Sequence, residues 1–344
     1  MAKVKIQGHA SGTGVLTITA PNTSTDRTIT LPDSTATIAT TAQLPTISAT
    51  APSSPAQGDL WFNSSANTVS GIETKVVAVY NGTAWKMMSN EPFDATGGTI
   101  TSITGYKIHT FTSSGTFTPN KAGTVDALVI AGGGSGAADG STTQGNGGGG
   151  AGGMYVIPGF AVTAQAYTIT IGAGGVGDLS LGEAGNNSSA LGFTALKGGG
   201  GGYYSNTPGQ GGSGYGSGGG GGFSAGAGGT GNNSNDGTNY HYGNDGRPGS
   251  NQGGGGGGGA GATGSGRNAG VGRDNNYRTG SNITYAGGGG GGKADYYGTA
   301  NGGGGSGNGD DADANTGGGG ASGMSGVDAG NGGSGIVVIR YAVT

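Results

Sequence analysis

His9, His109 and His241 are the only imidazoles in the chain, and they fall in three stretches of different composition. Zinc sites and catalytic triads need His, Cys or carboxylate groups that converge, and this spacing suggests no such set. The absence of cysteine removes thiolate nucleophiles, disulfides and thiolate metal sites. Glutamate occurs only at Glu73, Glu91 and Glu183, and nothing pairs carboxylates as glycoside hydrolysis requires. The run Gly287-x4-Gly292-Lys293 imitates a phosphate-binding loop, but Ala294 stands where Ser or Thr would hold magnesium. Asp311, Asp313 and Asn315 alternate like the oxygen ligands of a calcium loop. Their glycine, Gly317, comes one place late, and Ser322 replaces the bidentate glutamate. The three are a weak Ca²⁺ candidate, and a solvated acidic loop is the stronger reading. Binding rather than turnover is the chemistry expected, with no enzyme activity and no cofactor.

The residues suited to binding are aromatic. Across 198–335 the aliphatic side chains shrink to Val271, Ile283 and Val327, with Met324, yet nine of the 14 tyrosines lie there. Tyr, Asn, Ser and Gly without aliphatics is the composition of antibody binding loops, where Tyr gives rigid contact area and Asn and Ser adaptable hydrogen bonds. Tyr203, Tyr204, Tyr240, His241, Tyr242, Tyr277, Tyr296 and Tyr297 stand in glycine-poor segments and are candidate binding contacts. Arg247, Arg273 and Arg278 can pair with anionic groups. Tyr215 and Phe223, embedded in glycine, read instead as lids over backbone.

Glycine must position these segments. It accounts for 90 of 344 residues, 11 before residue 131 and 79 after. Collagen is excluded, because its every-third-residue rule is broken by runs such as 253–259 and 287–292. A flexible linker is excluded by the β-branched runs 127–131, 167–171 and 336–339, which read as buried strands. An ordered glycine run must be held by backbone hydrogen bonds, since every buried N–H and C=O needs a partner. Helix and ordinary sheet both suit glycine poorly. The remaining choice is the extended left-handed helix of three residues per turn, which can bond to neighbours in several directions when no Cβ intervenes. Packed polyglycine rods are therefore expected at 147–153, 198–202, 209–222, 253–266, 287–292, 302–309 and 317–320. Rod ends on one side would gather the segments around 203–204, 240–242, 273–278 and 296–297 into a single tip.

Before the glycines come two smaller regions. Residues 1–48 hold short alternating segments at 15–19, 27–31 and 36–39, too poor in apolar residues to bury a core alone. Residues 49–98 form a β-hairpin module, with Asn81-Gly82 as its turn and Trp61 packed on Trp85. The glycine-rich domain occupies 99–344, framed by strands at about 106–131, 154–172, 189–197 and 336–343. The fold class is mostly β and irregular with almost no α-helix. A net charge of −4 with 9% charged residues argues against nucleic acid. No apolar run approaches the ~18 residues of a membrane span, and no signal peptide is read at the start.

Three stretches carry a resemblance. Gly12-Thr-Gly-Val-Leu-Thr-Ile-Thr-Ala-Pro-Asn22, Asp26-Arg-Thr-Ile-Thr-Leu-Pro-Asp33 and Thr35-Ala-Thr-Ile-Ala-Thr-Thr41 are similar to N-terminal segments of bacteriophage tail fibres. Gly58-Asp-Leu-Trp61 with Tyr80-Asn-Gly-Thr-Ala-Trp85 resembles a module of phage tail proteins. The frame Val125–Gly134, Tyr167–Gly175 and Gly332–Tyr341 resembles the glycine-rich domain at the ends of phage fibres and adhesins. The resemblance implies a structural virion protein, a homotrimer fixed through its N-terminus to a phage tail or baseplate protein. Its C-terminal loops would read a host receptor, either an outer-membrane protein or a polysaccharide, without membrane insertion. The alternative is a glycine-rich filament or surface-matrix protein without a specific receptor; a glycan-binding hydrolase is a third reading.

Overall fold

The computed structural model describes residues 44–88, 92–139, 144–204, 206–235, 239–293 and 296–343. The segments expected at 15–19, 27–31 and 36–39 lie outside the described residues. Strands, turns and extended rods make up the molecule, with no α-helix among the described residues. The chain divides into two compact units, Met1–Asn90 and Glu91–Thr344.

The first unit holds a four-stranded sheet, β1 (Thr46–Ser48), β2 (Leu60–Asn63), β3 (Val77–Tyr80) and β4 (Trp85–Met87), in that order. β1 runs parallel to β2, and the other pairs are antiparallel. Asn81 and Gly82 turn β3 into β4: Gly82 takes φ +95°, and Asn81 Oδ1 accepts from the Thr83 and Ala84 amides. Trp61 is fully buried and meets Trp85 edge-on, ring centroids 5.4 Å apart, as the sequence leads one to expect. Its Nε1–H donates to Ser48 O at 3.1 Å, so β1 is tied to this sheet.

The second unit begins with β5 (Ala95–Thr96), β6 (Thr99–Ile103), β7 (Tyr106–Phe111), β8 (Gly115–Pro119) and β9 (Gly123–Ile130). It continues with β10 (Met154–Val162), β11 (Tyr167–Ile169), β12 (Ser188–Ala190), β13 (Phe193–Ala195), β14 (Ser234–Asn235) and β15 (Tyr240–Tyr242). The last strands are β16 (Arg273–Asn275), β17 (Ile283–Tyr285), β18 (Gly292–Lys293), β19 (Tyr296–Tyr297) and β20 (Ile336–Ala342). An antiparallel seven-stranded sheet, β14-β15-β10-β9-β20-β7-β6, is its frame. Successive side chains of a strand point to opposite faces. Ala127, Val129, Val337 and Ile339 face one hydrophobic cluster, and Leu128, Ile130, Ile336 and Val338 face another. Burial on both faces explains why β9 and β20 read as unbroken apolar runs rather than alternating ones. Asp94 joins the start of the unit to β7 and β20 by accepting from Lys107 Nζ at 2.6 Å and the Tyr341 hydroxyl at 2.8 Å. These two donors hold its carboxyl down at about 2.

The rods grow out of this sheet. β9 runs on into 131–138, β17 into 286–292, and 147–153 leads into β10. The amides of Gly147, Gly150 and Gly153 donate to Gly202, Gly199 and Leu196, every third residue of one antiparallel neighbour. Gly148 and Ala151 donate to Gly255 and Gly258, and Gly149 and Gly152 to Gly320 and Gly317, all at 2.7–3.0 Å. The carbonyls of the same rod accept from Ala137, Gly134 and Ala131, from Gly220 and Ser217, and from Gly289. One rod thus bonds to six neighbours with a period of three residues, which is the hexagonal packing of polyglycine helices. A Cβ built on Gly149 would lie 2.1 Å from Gly134 O, and one on Gly289 1.9 Å from Gly320 O. The rods touch Cα to carbonyl, leaving room only for hydrogen, a spacing that also admits Cα–H···O contacts.

The lattice differs from the sequence expectation in places. The 302–309 segment is not a rod, because Gly302, Gly303, Gly307 and Gly309 have φ between +61° and +95° and form turns. The 209–222 segment is interrupted at Gly212, whose carbonyl accepts from Tyr215 N. Segment 253–266 ends in a turn at Gly266, φ +62°. Rods at 131–138 and 329–335 carry Ala, Ser and Asn among their glycines, and their regular period hides that mixture: Gly132, Ser135 and Ala138 donate to Asn186, Glu183 and Ser180.

Candidate functional site

The rod bundle has two ends. Leu196, Gly153, Ala131, Ala260, Ala286 and Gly317 mark the end against the sheet, where Gly153 N reaches Leu196 O and Ala260 N reaches Ala286 O. At the far end, Gly147 N bonds Gly202 O, Gly254 N bonds Gly292 O, and Gly292 N bonds Asn146 O. The segments that leave the rods there are those of Tyr203-Tyr204, Phe223, Asn251-Gln252 and Tyr296-Tyr297.

Asn146 anchors this far end. Its Oδ1 accepts from Tyr204 N at 2.9 Å, and its Nδ2 donates to Gly323 O at 3.1 Å. Tyr204 is 43% exposed and Tyr296 69%, while Tyr203 and Tyr297 are half-buried. The Tyr203 and Tyr204 rings lie 6.1 Å apart. Tyr204, Asn206, Ser224 and Ser325 all take positive φ, between +51° and +75°. Such backbone is costly for a residue with a Cβ, and clusters of it mark functional loops.

The other sequence candidates lie by the sheet. Tyr240 and Tyr242 share one face of β15, with rings stacked 5.9 Å apart at 6°. The Arg273 guanidinium on β16 sits 3.8 Å over the Tyr242 ring. Tyr277 is half-buried under Arg340, 4.0 Å from ring to guanidinium, and its hydroxyl is pushed up by burial. Arg278 lines a shallow cleft of about 390 Å³ with Thr99, Thr101 and Thr110. Arg247 is exposed on the flank of the bundle, its amide bonded to Gly256 O. The structure therefore places Tyr203, Tyr204, Tyr296 and Tyr297 at the far end of the bundle and Tyr240, Tyr242, Arg273, Tyr277 and Arg278 elsewhere. A single tip does not form, because β15 pairs with β10 and is held at the sheet.

His241 points inward and is 2% exposed. Its Nε2 accepts from Leu196 N at 3.4 Å, so Nδ1 carries the proton and donates to Asn232 O at 3.0 Å. Burial pushes its pKa below 6.5, and that of buried His109 likewise. A depressed histidine pKa contributes stability that is complete above the unfolded value near 6.5 and lost as pH falls through the folded one. Acidification from pH 7 to pH 5 should lower the unfolding temperature of the second unit, and His241→Gln should flatten that dependence. A pH-independent transition over this range in the wild-type chain would contradict it.

The candidate calcium ligands do not converge. Asp311 Oδ1 accepts from Asn331 N and Nδ2, and Asn315 Oδ1 accepts from the Ser334 hydroxyl. Asp313 is exposed, its amide bonded to Gly303 O. Among the described residues no three His, Asp or Glu side chains group as metal ligands.

A model of the glycine-rich domain matches residues 112–342, two thirds of the chain. The chain belongs to this glycine-rich domain family. Within the family's span lie the whole rod bundle and five strands of the seven-stranded sheet, all but β6 and β7, so the match covers the lattice and both of its ends. No curated protein matches the chain. The far end of this glycine-rich domain also holds Phe223, Arg267 and Lys293, which the sequence reading did not select as contacts. The signal available was a cation directly after a glycine run, at Gly266-Arg267 and Gly292-Lys293.

Proposed function

We propose that this chain is a bacteriophage tail-fibre protein, a non-enzymatic adhesin that attaches the virion to its host cell. The glycine-rich domain would present the far-end loops to a surface receptor, an outer-membrane protein or a polysaccharide. The observation that carries this reading is the division of labour in the lattice. Rod amides and carbonyls bond to one another, so the rods have little left to offer a partner, while the far-end loops expose Tyr204, on strained backbone, and Tyr296. Rigid aromatic residues held by a packed frame are what a binding surface needs. Purified full-length chain should bind host cells and compete with virions for adsorption. Failure to bind or compete would count for a filament or matrix protein in which the rods themselves are the purpose.

The same reading gives the N-terminal region an attachment role toward a tail or baseplate protein. Short threonine-rich strands such as those expected within 1–43 cannot satisfy their own edges, and exposed edges invite pairing. The full chain should be a homotrimer held mainly through residues 1–100. Light scattering should report three times the 32.4 kDa chain mass, and a stable monomer would overturn this part of the reading.

A further inference from the structure

Two consecutive backbone carbonyls hold two cations side by side at the far end. Lys293 Nζ donates to Asn251 O at 2.7 Å, and Arg267 Nη1 donates to Gln252 O at 2.6 Å. The next residue, Gly253, lies between their stems: a Cβ there would meet Lys293 Cβ at 2.9 Å and Arg267 Cδ at 3.1 Å. Among the described residues neither cation has a carboxylate partner, whereas Lys107 and Arg340 are paired with Asp94 and Asp126. Arg267 also lies 5.3 Å from the centroid of the Tyr296 ring, which is 69% exposed. Asn251, Gln252, Arg267, Lys293 and Tyr296 together line an open cleft of about 460 Å³.

A neutral carbonyl satisfies one donor of each cation, Lys293 Nζ also lies 4.7 Å from the Phe223 ring centroid, and among the described residues no carboxylate compensates either charge. A guanidinium keeps a fork suited to carboxylate or phosphate, and an ammonium supplies a point charge beside it. We infer that this cleft is an anion-recognising subsite for an acidic sugar, with its carboxylate or phosphate between Arg267 and Lys293 and its ring against Tyr296. The inference rests on the adhesin reading and narrows the receptor class to an anionic surface polysaccharide. The volume suits a small ligand or one or two sugar rings. The Asn251 and Gln252 carbonyls are engaged by the cations, so the cleft offers charge and a ring face rather than strand-edge groups for a peptide.

The test is calorimetric titration of the full chain with oligogalacturonate, phosphorylated mannan, neutral dextran and poly-glutamate, alongside binding to host cells. Oligogalacturonate or phosphorylated mannan should bind, more weakly as salt rises, and the one that binds names the acid. Dextran and poly-glutamate should not bind. Arg267→Gln with Lys293→Gln should weaken the acidic sugar at least tenfold, and so should Tyr296→Ala, with unfolding temperatures unchanged. Unaltered sugar affinity in folded variants, absence of binding to either acidic sugar, or preference for poly-glutamate would overturn the subsite. If cells are bound while the acidic sugars are not, the subsite fails and the adhesin reading stands. If neither cells nor sugars are bound, the adhesin reading fails with it.

Discussion

Gly289→Val unfolds the second unit under conditions where the wild-type chain is folded, and leaves the first unit intact. The new Cβ would lie 1.9 Å from Gly320 O and 2.5 Å from Gly320 C, both backbone atoms that cannot turn aside. The rods must move apart, and the bonds nearest the clash, Gly289 N to Gly149 O, Gly257 N to Gly289 O and Gly320 N to Gly134 O, open with them. Each buried group left unmade costs ~1–3 kcal/mol, and three such bonds approach the whole 5–15 kcal/mol typical of a folded domain. Gly214→Ala is the matched control: its Cβ meets nothing within 4 Å, so its melting temperature should match that of the wild type. If calorimetry gives Gly289→Val the wild-type transition, the glycines are not a close-packed lattice.

The second large effect is on binding. Tyr204→Ala with Tyr296→Ala should abolish adsorption to host cells without moving thermal unfolding, since both rings are among the exposed large side chains and lie outside the hydrophobic clusters. Truncating a tyrosine at an interface centre often costs ~2 kcal/mol, so the pair amounts to about a thousandfold in affinity. Tyr240→Ala with Tyr242→Ala tests the competing surface, because these rings and Arg273 form a stack at the sheet. Wild-type adsorption by the first variant with loss in the second would move the receptor site to the sheet.

Much of this fold was legible in the sequence, for physical reasons that differ along the chain. The β-branched runs at 127–131, 167–171 and 336–339 read as buried strands; β9 and β20 are buried on both faces, whereas β11 alternates, with only Ile169 fully buried. Uninterrupted glycine at 147–150 and 287–292 suits the extended threefold rod, and both runs adopt it. Rods at 131–138 and 329–335 are hard to read from the sequence because Ala, Ser and Asn stand among their glycines, which dilutes the glycine signal while the backbone bonding keeps its period of three. Gly302–Gly309 failed for the opposite reason: glycine also permits positive φ, and composition does not separate a rod from a series of turns. The candidate site was legible in residue type and not in location. Tyr240 and Tyr296 look alike in sequence, but pairing of β15 with β10 sends one to the sheet and leaves the other at the far end. His241 differs from its neighbours only by strand alternation, which turns it inward between two tyrosines.

Hydrogen–deuterium exchange of the full chain, with and without vesicles of host envelope, tests the central claim most directly. The rod amides of 147–153 and 287–292 should be protected in both samples. Vesicles should add protection at 203–207, 223–225, 250–252 and 293–297, and leave 240–242 and 273–280 unchanged. Rapid exchange along the rods in the free protein, or receptor-dependent protection confined to the sheet side, would contradict the account.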